Sequence, residues 1–226
     1  MSGLNSKLNW KIDQLWNGCM LASIAHAIMV AHYPELSNEH SWDGINYNVQ
    51  DSAGIRGTIT FHPEFCVAAF CNDNSDRITT DTFTNVSEYF KGAPQEIVKL
   101  AEEEALQYLL HNVNGKTIPV ITTAFWGSKN ELFTGDSFDL MMQNGAVLLE
   151  RQLMDSDLSI KAWKEYYDMS ERQVDLLKLI FMQKIANPKD IISISKKEVE
   201  MIGANEEEGL NESRESFEEI GIECEV

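Results

Sequence analysis

Cys19, Ser23 and His26 stand at i, i+4 and i+7 in an apolar stretch that follows Asn17. On a helix these spacings put a thiol, a hydroxyl and an imidazole on one face. With Asn17 as cap, Cys19 sits in the first turn, where the helix dipole lowers a thiol's pKa. The trio then describes a nucleophile with a base nearby. The rise of the helix opposes this. Seven residues span about 10 Å, far beyond hydrogen-bond reach, and an intervening serine does not relay general-base function. The aromatic residue that usually follows a papain-type cysteine is also missing. The favoured reading is a reduced, buried Cys19, with His26 hydrogen-bonded to a main-chain carbonyl. Cys19 and His26 stand as the catalytic candidates only if the chain is a cysteine-dependent hydrolase.

Metal chemistry would draw on His62, Cys66 and Cys71, which fall within ten residues, with His32 and His40 flanking the preceding loop. Structural zinc sites use close pairs such as C-x2-C, and Cys66-x4-Cys71 is looser. On one strand an offset of five puts the two thiols on opposite faces. His26 and His32 likewise miss the i, i+4 spacing of helical ligands. The expectation is no metal and no cofactor, with His62, Cys66 and Cys71 the only candidate ligands.

Carboxylate pairs such as Glu35 with Glu39, or Asp73 with Asp76, are too abundant in an acidic chain to mark a cleft. Neither G-x-x-x-x-G-K-[ST] nor G-x-G-x-x-G occurs, and G-x-S-x-G is missing, so phosphate loops and an α/β-hydrolase elbow are not expected. Gly54-Ile55-Arg56-Gly57 reads as turn chemistry, with Gly57 easing a bulge. Of five tryptophans, Trp10 and Trp42 lie in polar company and suit either interface anchors or lids over a core edge.

The elements that must carry these residues are legible from periodicity. Residues 15–33 are apolar almost all round, which marks a buried helix ending before Tyr33-Pro34. Over 45–72 the period changes to two, with turns at Asp51–Gly54 and His62–Glu64, giving an antiparallel meander of three strands. Residues 93–112 carry a helical stripe, begin at Pro94 and end at Asn114-Gly115. Thr117–Trp126 is rich in β-branched and aromatic residues and extends the meander to a fourth strand. Residues 137–143 suggest a short helix. From 157 the chain turns mainly helical, with capping boxes at Ser170/Gln173 and Ser195/Glu198 and a short strand at 191–194. The expected fold is α+β: one domain over 1–205 in which three to four strands pack against several helices, followed by an acidic segment, 206–226.

That segment holds nine glutamates and one basic residue, Arg214. It is either a short helix docked by Leu210, Phe217, Ile220 and Ile222 or a mobile tail. The whole chain has 226 residues, 18 Lys and Arg and 36 Asp and Glu, for a net charge of −18. Such acidity excludes nonspecific nucleic-acid or anionic-membrane binding as the default activity. Four cysteines are too few for a disulfide scaffold. The Lys7–Ala31 stretch makes a poor export signal because Asp13, Gln14, Asn17 and His26 interrupt it, and nowhere do about 20 apolar residues run together. The cytoplasm is the expected compartment.

These features suggest a non-catalytic acidic binding protein whose partner is a basic protein. In charge and size it is analogous to immunity proteins, antitoxins and inhibitors that imitate nucleic acid. Trp10, Trp42, Glu206, Glu207, Glu208, Glu212 and Glu215 are the expected contact residues. The alternatives are the Cys19 hydrolase and a structural or regulatory interaction module.

Overall fold

The computed structural model describes residues 6–78 and 85–225. In chain order the first elements are β1 (Ser6–Lys7), α1 (Ile12–Met29), β2 (His40–Asp43), β3 (Asn46–Gln50), β4 (Ile55–Phe61), β5 (Phe65–Asn72) and α2 (Gln95–Glu103). Next come β6 (Leu110–Val113), β7 (Lys116–Pro119), β8 (Thr123–Ser128), β9 (Glu131–Thr134) and α3 (Phe138–Gln143). Then follow α4 (Ser156–Tyr167), α5 (Glu171–Ala186), β10 (Ile192–Ile194), α6 (Lys196–Ile202), α7 (Glu207–Glu219) and β11 (Ile222–Cys224). The fold is α+β. Its main sheet has seven strands among the described residues, where three or four were expected. No helix among the described residues is long and apolar enough to cross a membrane.

The chain divides into two compact units, Met1–Gln14 with Ile45–Glu150 and Leu15–Gly44 with Arg151–Val226. In the first, the strands run in the order β1-β9-β8-β5-β4-β3. The expected meander is β3, β4 and β5, with Ile59 opposite Ala68 and Thr60 opposite Val67. Thr58 and Thr60 share a face and donate hydroxyl hydrogen bonds to Asn48 Oδ1 (2.7 Å) and Asn46 Oδ1 (2.6 Å) on β3. One face of β5 and β8 presents Val67, Ala69, Cys71, Ala124 and Trp126 to Ile97 and Ala101 of α2 and to Ala105, Leu106 and Leu109 of the 3-10 turn after it.

Gly57 sits in an unbroken ladder, opposite Val49 and Phe70, so the expected bulge is not there. Its role is close approach. A Cβ at Gly57 would lie 2.2 Å from the Phe70 ring, which lies flat over the bare backbone.

Four further expectations need correction. The extra strands β1, β2 and β9 are two to four residues long, too short to show a period. The helix read over 93–112 stops at Glu104, whose backbone leaves the helical region (φ −125°, ψ −91°), and its tail becomes a 3-10 turn and β6. Asn114 and Gly115, expected to cap that helix, instead take positive φ (52° and 81°) as the two-residue turn between β6 and β7. The same dipeptide serves both purposes because both need left-handed backbone. The strand read over 117–126 is two strands, broken between Pro119 and Thr123, where Thr122 turns to donate its N–H to Phe70 O at 2.7 Å.

In the second unit, α1 is buried all round from Gly18 to Met29, as its apolar sequence there demands. Trp163 and Tyr167 of α4, Leu177 and Ile180 of α5, Ile202 of α6 and Phe217 of α7 belong to the same core. β10 and β11 pair in parallel, Ile192 opposite Ile222 and Ile194 opposite Cys224, and bury Ile194 and Ile222. Both capping boxes form as expected.

Candidate functional site

The acidic C-terminal segment is a docked helix. Gly209, Ser213 and Phe217 recur every four residues and make its buried edge. Gly209 permits the approach, since a Cβ there would meet the Ala31 carbonyl oxygen at 2.2 Å. Ser213 Oγ donates to Ala27 O at 2.6 Å, and Phe217 has no exposed surface. Ile220 and Ile222 are buried beyond the helix, while Leu210 is half-buried.

Docking that edge turns the glutamates outward. Glu206, Glu207, Glu208, Glu215 and Glu218 are exposed and Glu212 is half-buried. Arg214, the one cation of the segment, donates to Asn211 Oδ1 at 2.9 Å. Glu219 is different. Its Oε2 accepts the Trp42 main-chain N–H at 2.7 Å. Burial raises its pKa, against the Trp42 hydrogen bond, with Glu215 and Asp43 adding to the rise. No basic residue occupies the last turn of α7, where Glu218 and Glu219 face the negative end of the helix dipole. Charges so placed oppose helix stability by about 0.3–1 kcal/mol each where exposed. Glu207 and Glu208 in the first turn instead favour the helix, so it is the C-terminal part of the array that the buried edge holds against the dipole.

Trp42 is a lid over the core edge of its unit. It packs beside α1, its indole N–H donates to Ser23 Oγ at 2.8 Å, and its main chain is held by Glu219. Trp10 is half-buried and packs edge-on against Phe138, ring centroids 5.3 Å apart. Phe138 is itself 48% exposed, so this pair is the more accessible of the two aromatic candidates.

Cys19 is fully buried, and Ser23 spends its hydroxyl proton on the Cys19 carbonyl at 2.9 Å. His26 points elsewhere: its Nδ1 lies 3.3 Å from Tyr167 Oη, whose own hydroxyl donates to Glu39 Oε2 at 3.3 Å. The buried Nε2 finds no hydrogen-bond partner of good geometry among the described residues. Burial lowers the His26 pKa to about 4, the Ser37 main chain opposing a little. His40, with ring centroid 5.2 Å from that of His26, is pushed well below its usual value by burial, then by His26 and Arg151. Arg151 lies over the rings of Trp163 (5.2 Å) and Tyr166 (4.2 Å). Cys19 and His26 are thus neighbours along α1 with separate partners.

The proposed ligands His62, Cys66 and Cys71 do not converge. His62 stacks on Phe65 at the β4–β5 turn. Cys66 is buried and burial pushes its thiol far up. Cys71 points to the other face of β5, as the odd offset requires. There it meets residues not foreseen from sequence. Cys71 Sγ lies 3.6 Å from Asp73 Oδ1, and with a nitrogen of His111 on β6 the three donor atoms fall within 4.8 Å of one another.

Arg56, directly opposite Cys71 in the β4–β5 ladder, reaches into this group. Its Nη1 donates to both Asp73 oxygens (3.2 and 3.1 Å), and its Nη2 lies 3.4 Å from Cys71 Sγ and against His111 Nε2. Burial raises the Cys71 thiol to about 11, with Arg56 opposing and Asp73 adding to the rise. Burial and then Arg56 lower His111. Cys71, Asp73 and His111 are the described residues able to hold a metal ion. The pairing of Arg56 with Cys71 follows from counting back from the His62–Glu64 turn. Nothing local places His111, 40 positions along the chain, beside them.

No family model matches the chain, no curated protein matches it, and no solved structure matches it.

Proposed function

We propose that the protein is a non-catalytic acidic binding protein that occupies the anion-binding surface of a basic partner protein in the cytoplasm. The analogy with immunity proteins, antitoxins and nucleic-acid-imitating inhibitors is one of charge and size. The observation that carries the proposal is the glutamate array of α7, fixed by Gly209, Ser213 and Phe217 with Glu206, Glu207, Glu208, Glu215 and Glu218 turned out. A rigid array loses less conformational entropy on binding than a mobile tail, so it contributes to affinity as well as to steering. The net charge of −18 also exceeds the magnitude of about 2–8 that solubility asks of a small domain. The burial of Cys19 and the separate engagement of His26 give the hydrolase alternative no comparable support.

Affinity capture from cells of the source organism tests this. The bait is the full chain, compared with a variant carrying Glu→Gln at 206, 207, 208, 212, 215 and 218. Glu219 is kept because it holds Trp42. The expected result is a basic protein retained by the native chain and depleted at least about tenfold with the variant. Capture of the same partners by both baits would remove the proposal.

A further inference from the structure

We propose that Cys71, Asp73 and His111 form a zinc-binding site whose position is held by the Arg56 guanidinium when no metal is bound. The donor set is the first reason. A thiolate, a carboxylate and an imidazole together suit a borderline divalent ion, and Zn²⁺ above the harder Ca²⁺ or Mg²⁺. Three protein ligands leave a fourth, open position, the pattern of an exchangeable rather than a purely structural site.

Convergence is the second reason. The three donors come from two separate pieces of backbone: Cys71 and Asp73 from the end of β5 and just beyond it, His111 from β6. Cys71 is pinned by its ladder pairing with Arg56. Asp73 is placed by the hydrogen bond from its N–H to Gly54 O at 3.0 Å. All three donors point at one cation already, the guanidinium of Arg56. Because arginine only donates, the His111 nitrogen facing it presents a lone pair, the same lone pair a metal would take. Ligand atoms around tetrahedral zinc lie about 3.5 Å apart, given bonds of about 2.0–2.3 Å. The donor atoms, all within 4.8 Å of one another, need to draw only slightly closer as the guanidinium leaves.

Metal entry moves Arg56 outward. Its side chain is one-quarter exposed and Asp73 is half exposed, so the exit faces solvent. As the Cys71 sulfur–zinc bond forms, the thiol gives its proton to solvent. Asp73 and His111 bind through lone pairs they already hold, and no electron is transferred.

Titration of the full chain with Co²⁺, a spectroscopic substitute for Zn²⁺, tests the site. Expected is one equivalent bound, a thiolate-to-cobalt charge-transfer band, and displacement of Co²⁺ by Zn²⁺. Cys71→Ser abolishes the band. Asp73→Asn, at an exposed position, and His111→Ala, at a half-buried one, each weaken binding at least about tenfold. Cys224→Ser, at the remaining half-buried thiol, leaves it unchanged. Arg56→Gln tightens binding about tenfold, since a competing cation is removed. Circular dichroism identifies any variant that fails to fold, and the folded variants of Asp73 and His111 then carry the test. No band with the folded native chain, a band that survives Cys71→Ser, or weaker binding in folded Arg56→Gln would each overturn the proposal.

Discussion

Two buried imidazoles make the most pH-sensitive point of the molecule. His26 lies in hydrogen-bond reach of Tyr167, whose hydroxyl donates to Glu39, and the His40 ring packs edge-on against it, with Arg151 adding positive charge near His40. Burial pushes the His26 pKa down from the usual 6.5 to about 4 in the folded chain. Between these values the unfolded chain binds a proton that the folded chain refuses, so stability falls as pH drops through that window. The loss from His26 is about 3 kcal/mol by pH 4, and His40 adds to it in the same direction. Urea midpoints at pH 7 and pH 4.5 should show this fall, and His26→Gln should reduce it. An unchanged difference between the two pH values in the variant contradicts the assignment. Thiol reactivity is ordered by burial as well. Cys224 should be modified first in the native protein, and Cys19 and Cys66 only on unfolding. Cys19→Ala should cost about 1 kcal/mol and leave partner capture intact. Rapid labelling of Cys19 in the folded chain, with loss of function in Cys19→Ala, would revive the hydrolase alternative.

Element by element, the sequence was legible wherever burial imposed a long period. The largely apolar α1, the β3–β5 meander and the two capping boxes were readable because each depends on local pattern and chemistry. Short strands such as β9, Glu131–Thr134, were not, because four residues show no period and their pairing is tertiary. Asn114-Gly115 misled for a physical reason: left-handed backbone ends helices and makes hairpins alike. The candidate zinc cluster was half legible. Cys71 stood out, and Arg56 follows from hairpin register, but His111 arrives through a separate hairpin. At this scale α7 is structural. Deleting residues 204–226 removes buried Phe217, Ile220 and Ile222, and should cost several kcal/mol at roughly 1.5–3 kcal/mol per large buried side chain. A thermal midpoint unchanged by the deletion would return the segment to a loose tail. Gly57→Ala forces a methyl into the Phe70 ring and should destabilise by about 1–3 kcal/mol in urea unfolding.

Over the whole molecule, a charge of −18 acts as a field as well as a set of contacts. Its densest part is attached to a core rather than to a tether, so the direction it presents is constant within its unit. Such a field accelerates the approach of a positively charged partner and is screened over about 8–10 Å at 0.1–0.15 M salt. Neutralising Glu206, Glu207, Glu208, Glu212, Glu215 and Glu218 removes six charges while leaving the buried edge of α7 untouched. The most direct measurement is the association rate with the captured partner, followed by stopped flow across a range of ionic strength for the native chain and the six-glutamine variant. Electrostatic recognition through α7 predicts a native rate that falls steeply as salt rises, and a variant rate at least about tenfold lower at low salt with a shallower slope. A rate indifferent to both salt and the six substitutions would contradict it.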